Sequence, residues 1–380
     1  GKSGDLGGRR IIIKKIGTRP EAIKMAALVR ACMDDPEIES VLCVTAQHRE
    51  MLDQVLSLFA LTPDYDLNIM KPNQTISQIT ANVLLGLEQV FAEVRPDIVL
   101  VHGDTSTTFA AALAAFYQKI PVGHVEAGLR TYDKYSPYPE EINRVLTGHL
   151  ADLHFAPTRR NQENLLREGI GAEQIYLTGN TVIDALLAVT EKPFAFQDEP
   201  LASLDFQNRR IITVTCHRRE NLGEYMENIF SAIRDIALEF PDVEVVYPVH
   251  LNPKVRETAD RILGGMDRVR LIAPLEYQPF VNLMKRSHLI ITDSGGMQEE
   301  APSLGVPVLV VRRETERPEA VEAGTVKLAG VERDTIYALT KELLESEEAY
   351  QAMARAANPY GDGQACQRIV SILKQVLLYD

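Results

Sequence analysis

The chain has 380 residues, a formal net charge of -13, 45% hydrophobic and 24% charged residues. That length exceeds one ordinary core and suits two α/β domains, and the acidic balance disfavours non-specific nucleic-acid binding. Cys32, Cys43, Cys216 and Cys366 form no CxxC pair, which reads as reduced thiols in a cytoplasmic, reducing compartment and argues against structural zinc; no apolar run reaches membrane-spanning length and no signal-peptide pattern opens the chain.

Short β-branched runs alternate with longer amphipathic stretches. Ile11–Ile16 reads as a strand and Pro20–Met33 as a helix, then Val41–Thr45 as a strand and His48–Phe59 as a helix. Lys14 and Lys15 are costly in a buried strand, so that strand is either shorter or reaches an edge. Asp97–Val101 and Val122–Val125 flank the Ala-rich helix Thr107–Gln118, and Leu153–Ala156 and Ile175–Leu177 follow. The segment Lys192–Asn208 lacks periodicity and reads as a loop or linker. Alternation resumes with Ile211–Thr215, Val243–Pro248, Val269–Ile272, Leu289–Thr292 and Val308–Val311; Ser346–Ala356 and Gln364–Leu378 close the chain as helices. The expected architecture is two doubly wound Rossmann-like domains, residues 9–180 and 181–363, with the helix at 364–380 packing back on the first. Such domains bind ligands in a cleft beyond their strand C-termini.

Residues able to do chemistry gather at those C-termini. Gly17-Thr18-Arg19-Pro20-Glu21 with Lys24 puts two cations at a helix start; an anion site and a plain helix start with surface charges fit it equally. Asp104 follows the strand ending at Val101, where simple helix capping is the favoured explanation for a lone Asp. Glu126 sits at a strand end among small residues. Glu140 and Glu141 occupy the first turn of a helix after a Pro-rich loop, where the helix dipole alone would favour acids. Arg19, Asp104 and Glu126 nonetheless share one edge of one parallel sheet, and that convergence favours a site. In the second half, Cys216–Asn221 follows one strand and Val249-His250 another. Ser294-Gly295-Gly296 follows a third and leads into a helix, which suits a pyrophosphate. Glu299 stands one turn in, where it could accept ribose hydroxyls. No GxGxxG or GxxxxGK[ST] follows a strand, which weighs against NAD chemistry and NTP hydrolysis.

These segments resemble the non-hydrolysing UDP-N-acetylglucosamine 2-epimerases. The markers are GTRPEAIKM at 17–25, TAQHREML at 45–52, VHGDTSTTF at 101–109, VGHVEAGLRT at 122–131, YSPYPEEINR at 135–144, HRRENLGE at 217–224 and TDSGGMQEEAPSLGVPVLV at 292–310. The resemblance implies the two-domain GT-B glycosyltransferase fold and interconversion of UDP-GlcNAc and UDP-ManNAc without metal, nicotinamide or other cofactor. It implies a UDP-binding set of Arg19, Lys24, His217, Ser294, Gly295, Gly296, Glu299 and Arg313, and a catalytic set of Asp104, Glu126, Glu140 and His217. It also implies a homodimer, a role in supplying surface-polysaccharide precursors, and a second UDP-GlcNAc acting as activator near Gln47, His48, Glu140, Arg218 and His250. Glu50 stands where some members have Gln and Asn73 where some have Arg, so activation is expected to be weakened here.

The chemistry agrees with that assignment. The hydrogen on the acetamido-bearing carbon is not acidic until the neighbouring anomeric C–O bond breaks. That path needs cations for the departing diphosphate and carboxylates for the proton. The rivals are a hydrolysing relative that releases N-acetylmannosamine, an epimerase of a UDP-diacetamido sugar, a glycosyltransferase, and a nucleotide-sugar binding protein without catalysis.

Overall fold

The computed structural model describes residues 9–15, 19–45, 49–69, 71 and 73–378, with side chains from 21 to 45 and from 52 onwards apart from 70, 72 and 378. The described residues fold as two compact units: one runs to Ala185 and resumes at Gly361, and the other is Leu186–Tyr360. The first unit thus ends inside the helix Thr181–Thr190, a few residues beyond the boundary expected at 180.

The first unit holds β1 (Arg9–Lys15), β2 (Ile38–Val44), β3 (Tyr65–Asp66), β4 (Ile98–His102), β5 (Val122–Val125), β6 (Leu153–Ala156) and β7 (Ile175–Leu177). All pair in parallel in the order β3-β2-β1-β4-β5-β6-β7. Every residue of β4, β5 and β6 is buried, the mark of strands covered on both faces. The order reverses between β1 and β4, so the loops after those strands diverge there and leave a crevice. Glu21 and Lys24 belong to the helix that follows β1, and Asp104 follows β4. Lys14 and Lys15 pair with Cys43 and Val44 of β2, so the strand includes both; their side chains lie outside the described residues.

The second unit holds β8 (Arg210–Thr215), β9 (Val243–Pro248), β10 (Val269–Ile272), β11 (Leu289–Thr292), β12 (Val308–Val310) and β13 (Val326–Leu328), ordered β10-β9-β8-β11-β12-β13. Its reversal falls between β8 and β11. The two motifs after those strands, Cys216–Asn221 and Asp293–Gly296, therefore flank one crevice.

Some elements went beyond the sequence expectation. Helix Ile76–Val94 has 19 residues and packs Val83, Leu87, Val90 and Phe91 into the first core. Its polar opening hides the period, although Thr75 and Gln78 form a capping box that marks its start. The segment 192–208 lacks helix and strand, as expected of a loop, but it is not a loose linker. Leu201 and Leu204 are buried against Ile211, Val246 and Leu283, and Arg286 lies over the Phe196 and Phe206 rings. The helix Ala365–Leu378 returns to the first unit, where the Asp184 carboxylate accepts the N–H groups of Ala365 and Cys366 at its start.

Candidate active site

Glu126 follows β5 with φ of 62°, a left-handed conformation that costs a non-glycine residue about 1 kcal/mol. The next residues hold it there. Ala127 N–H bonds to the Phe155 carbonyl of β6, and Gly128 passes so close to the Asn161 carbonyl that a Cβ would stand 2.2 Å from it. The Glu126 carboxylate receives Lys24 Nζ at 2.5 Å and Asn180 Nδ2 at 3.2 Å, with His102 Nε2 at 3.5 Å. Burial pushes its carboxyl up, but the Lys24 and His102 charges outweigh this and hold it well below the usual carboxylate range. Glu126 is thus an ionised carboxylate, 15% exposed, that can face a ligand.

Asp104 does not cap the following helix. Thr105 does: its hydroxyl accepts the Thr108 N–H at 3.3 Å. The Asp104 carboxylate instead takes Arg144 Nε at 2.9 Å and Nη2 at 2.7 Å, and its carbonyl accepts Asn143 Nδ2 at 2.9 Å. Beside it, His124 Nε2 donates to the Gly103 carbonyl at 2.8 Å, and burial pushes this imidazole down to about 3.

The two acids at the start of helix Glu140–Leu150 have different tasks. Glu141 is buried. Its oxygens accept the N–H groups of Thr131 at 3.0 Å and Tyr132 at 2.8 Å, and Arg144 Nη1 at 3.1 Å. Arg144 therefore ties Glu141 to Asp104. Glu140 is half-buried and has no hydrogen bond or ion pair among the described residues. Glu141 accounts for the fold of the 131–141 loop, a task in which Glu140 has no part. Replacing Glu141 with Ala strands two backbone donors and a buried guanidinium; a loss of about 3 kcal/mol in urea unfolding is expected, and a change below 1 kcal/mol would contradict this account.

In the second unit Asp293, fully buried, accepts the N–H groups of His217 at 2.9 Å and Arg218 at 2.8 Å and Asn221 Nδ2 at 3.1 Å. His217 stacks on His250, rings 5.1 Å apart and 12° from parallel. Burial lowers the His217 pKa, partly offset by Asp293. Ser294 precedes the short helix Gly295–Glu300. A Cβ on Gly295 would stand 2.8 Å from Glu316 Oε1, the end of a flexible side chain that also takes Arg218 Nη2 at 3.1 Å.

Not every candidate residue falls where expected. Glu299 is buried and ion-paired to Arg317, whereas Glu300 turns its carboxylate to within 3.3 Å of a Cβ on Gly296. Arg313 is exposed over the Tyr225 ring at 5.3 Å; Arg312 and Arg317 make the ion pairs around the turn. Arg19 opens the helix Arg19–Met33 with its side chain outside the described residues. Gln47 and His48 lie outside the described residues, as does the side chain of Glu50; Asn73 is exposed with φ of 61°. His102, Arg144, Asn180, Asp293, Glu300 and Arg317 had no assigned role in the sequence. Of these, Arg144, Asp293 and Glu300 were legible as charged members of the quoted motifs. Asn180 was not, because it reaches Glu126 from 54 positions away. Among the described residues, no group of three or more His, Cys, Asp or Glu is placed to hold a metal ion.

Residues 30–374 match the family model described as UDP-N-acetylglucosamine 2-epimerase. The UDP-N-acetylglucosamine 2-epimerase of Escherichia coli K12 is 58% identical over 368 residues, 96% of this chain and 98% of that one. The structure of UDP-GlcNAc 2-epimerase from Neisseria meningitidis bound to UDP-GlcNAc is 52% identical with a TM-score of 0.85, covering 96% of this chain and 100% of that one. A glycosyltransferase of kitacinnamycin, only 12% identical, matches at a TM-score of 0.64 over 97% of this chain and 99% of its own, which shows the fold alone. That fold is the expected pair of doubly wound α/β domains of the GT-B type. By family model and by identity over nearly its whole length, the chain belongs to the UDP-N-acetylglucosamine 2-epimerase family.

Proposed function

We propose that this chain interconverts UDP-GlcNAc and UDP-ManNAc without releasing free sugar. The observation that carries the reading is the pair of unequal carboxylate environments in the first unit. Glu126 is held ionised by Lys24, and Asp104 is oriented by Arg144. Beside them Glu140 is spared the structural task that Glu141 performs.

In the proposed reaction the anomeric C–O bond breaks and its electron pair leaves with UDP. The positive charge left on the ring acidifies the neighbouring C–H. A carboxylate takes that proton, and the C–H pair becomes the C1–C2 double bond of a 2-acetamidoglucal. A proton delivered to the opposite face, with UDP adding back to C1, completes the inversion. In the first unit Lys24 and Arg19, and in the second His217 and the Ser294–Gly296 turn, are each suited to an anionic diphosphate. The relative solved with UDP-GlcNAc bound supports the same substrate class. The wider reading is a cytoplasmic homodimer that feeds surface-polysaccharide precursors. Its second-site activation is weakened by Glu50 and Asn73. This part rests on the family resemblance.

Incubation with UDP-GlcNAc in deuterated buffer tests the reaction. Deuterium at the acetamido-bearing carbon of both UDP sugars, with no free N-acetylmannosamine in the proton NMR spectrum, is expected. Free sugar accumulating with UDP would mark a hydrolysing enzyme. Inversion without deuterium would exclude the proton-loss path.

A further inference from the structure

We propose that Asp293 is a positioning residue for His217: it holds the imidazole as the Nδ1–H tautomer and ties it to the Ser294–Gly296 turn. The proposal rests on the reading of His217 as a group that meets the substrate.

Asp293 follows β11 and is wholly buried, yet its two oxygens have unequal lives. Oδ2 is saturated by the His217 and Arg218 N–H groups and Asn221 Nδ2. Oδ1 has no hydrogen-bond partner although it is shielded from solvent. A buried carboxylate oxygen without a donor is costly, so its nearest donors matter. His217 Nδ1 lies 3.6 Å away, just beyond hydrogen-bond range and reachable by a small ring rotation of the 43% exposed side chain. The Cys216 thiol also faces Asp293, which helps push that thiol up and keep it protonated.

The other neighbours leave the Nδ1 side to Asp293. His250 covers one face of the ring, and its own Nδ1 accepts the Asn252 N–H at 3.1 Å, which leaves its proton on Nε2 when neutral. Arg218 is turned aside, Nε to the Asp293 carbonyl at 3.1 Å and Nη2 to Glu316. With Nδ1–H directed at Asp293, Nε2 presents a lone pair outward that can take a proton or, once protonated, donate to an anion. The same carboxylate fixes the loop after β8 and precedes the turn after β11, so imidazole and turn move as one piece.

The test is the nitrogen-15 signature of His217 in the full-length protein, assigned by its loss in His217→Asn. The wild type is expected to show a protonated Nδ1 and a bare Nε2 at pH 8. In Asp293→Asn the amide oxygen keeps the backbone N–H groups, its NH2 faces Nδ1, and the proton should move to Nε2. The imidazole should also titrate at lower pH, having lost the charge that favours its cation. The epimerisation kcat should fall about 100-fold with KM within about threefold, and Cys216→Ser should leave the tautomer unchanged. A bare Nδ1 in the wild type overturns the proposal even if Asp293→Asn does not fold, and so does an unchanged tautomer in a folded Asp293→Asn. A switched tautomer with kcat unchanged would leave the contact standing and overturn the role of His217 in the reaction.

Discussion

Glu126→Gln should lower the epimerisation kcat by about 10²–10⁴-fold, the range a positioned acid–base group contributes. The argument is electrostatic. The wild-type carboxylate stays ionised despite burial because Lys24 and His102 face it. An amide of the same shape can still accept Asn180 Nδ2 and occupy the left-handed position, but it cannot take a proton or balance Lys24. Initial rates of UDP-ManNAc formation, followed by NMR, give kcat. The rate at which solvent deuterium enters unreacted UDP-GlcNAc should fall in step, since in the proposed reaction both need the same proton transfer. Retention of kcat within tenfold, in a variant whose thermal unfolding matches the wild type, would remove Glu126 from the proton-transfer step.

Acid should destabilise the first unit well before its carboxylates titrate. His124 and His154 are buried in β5 and β6, and burial pushes them down to about 3 and about 4. Unfolded histidine titrates near 6.5, so below that pH the unfolded chain binds protons that the folded chain refuses. Stability is therefore complete above about pH 6.5, falls as pH drops towards about 4, and levels off once the folded imidazoles protonate. At pH 5 each histidine costs about 2 kcal/mol, about 4 kcal/mol for the pair. Urea midpoints at pH 7.5 and pH 5 measure this, and His154→Gln should flatten the slope by about half. A midpoint unchanged between those pH values would mean that the two imidazoles take up protons in the fold as readily as in the unfolded chain.

The role of Arg144 shows how the site is assembled. One guanidinium holds Asp104, which follows a strand, and Glu141, which opens a helix some 40 positions later. The pair Glu140-Glu141 reads in sequence as two equivalent acids favoured by a helix dipole. Only the folded loop separates them, because Thr131 and Tyr132 turn their N–H groups onto one carboxylate and not the other.

The sequence by itself determined the alternation of strands and helices and the position of the motifs at strand ends, because hydrophobic period and turn residues are local properties. It also carried the family, through segments recurring in order along the whole chain. Which motifs share a crevice was decided only by tertiary structure, since strand order depends on contacts between distant segments. The reversals between β1 and β4 and between β8 and β11 set the choice. So did the direction of each side chain: Asp104 away from capping, Glu299 inward to Arg317, Asp293 beneath His217. Those directions follow from burial and charge pairing across 18 to 76 positions of chain, which no local pattern of residues encodes.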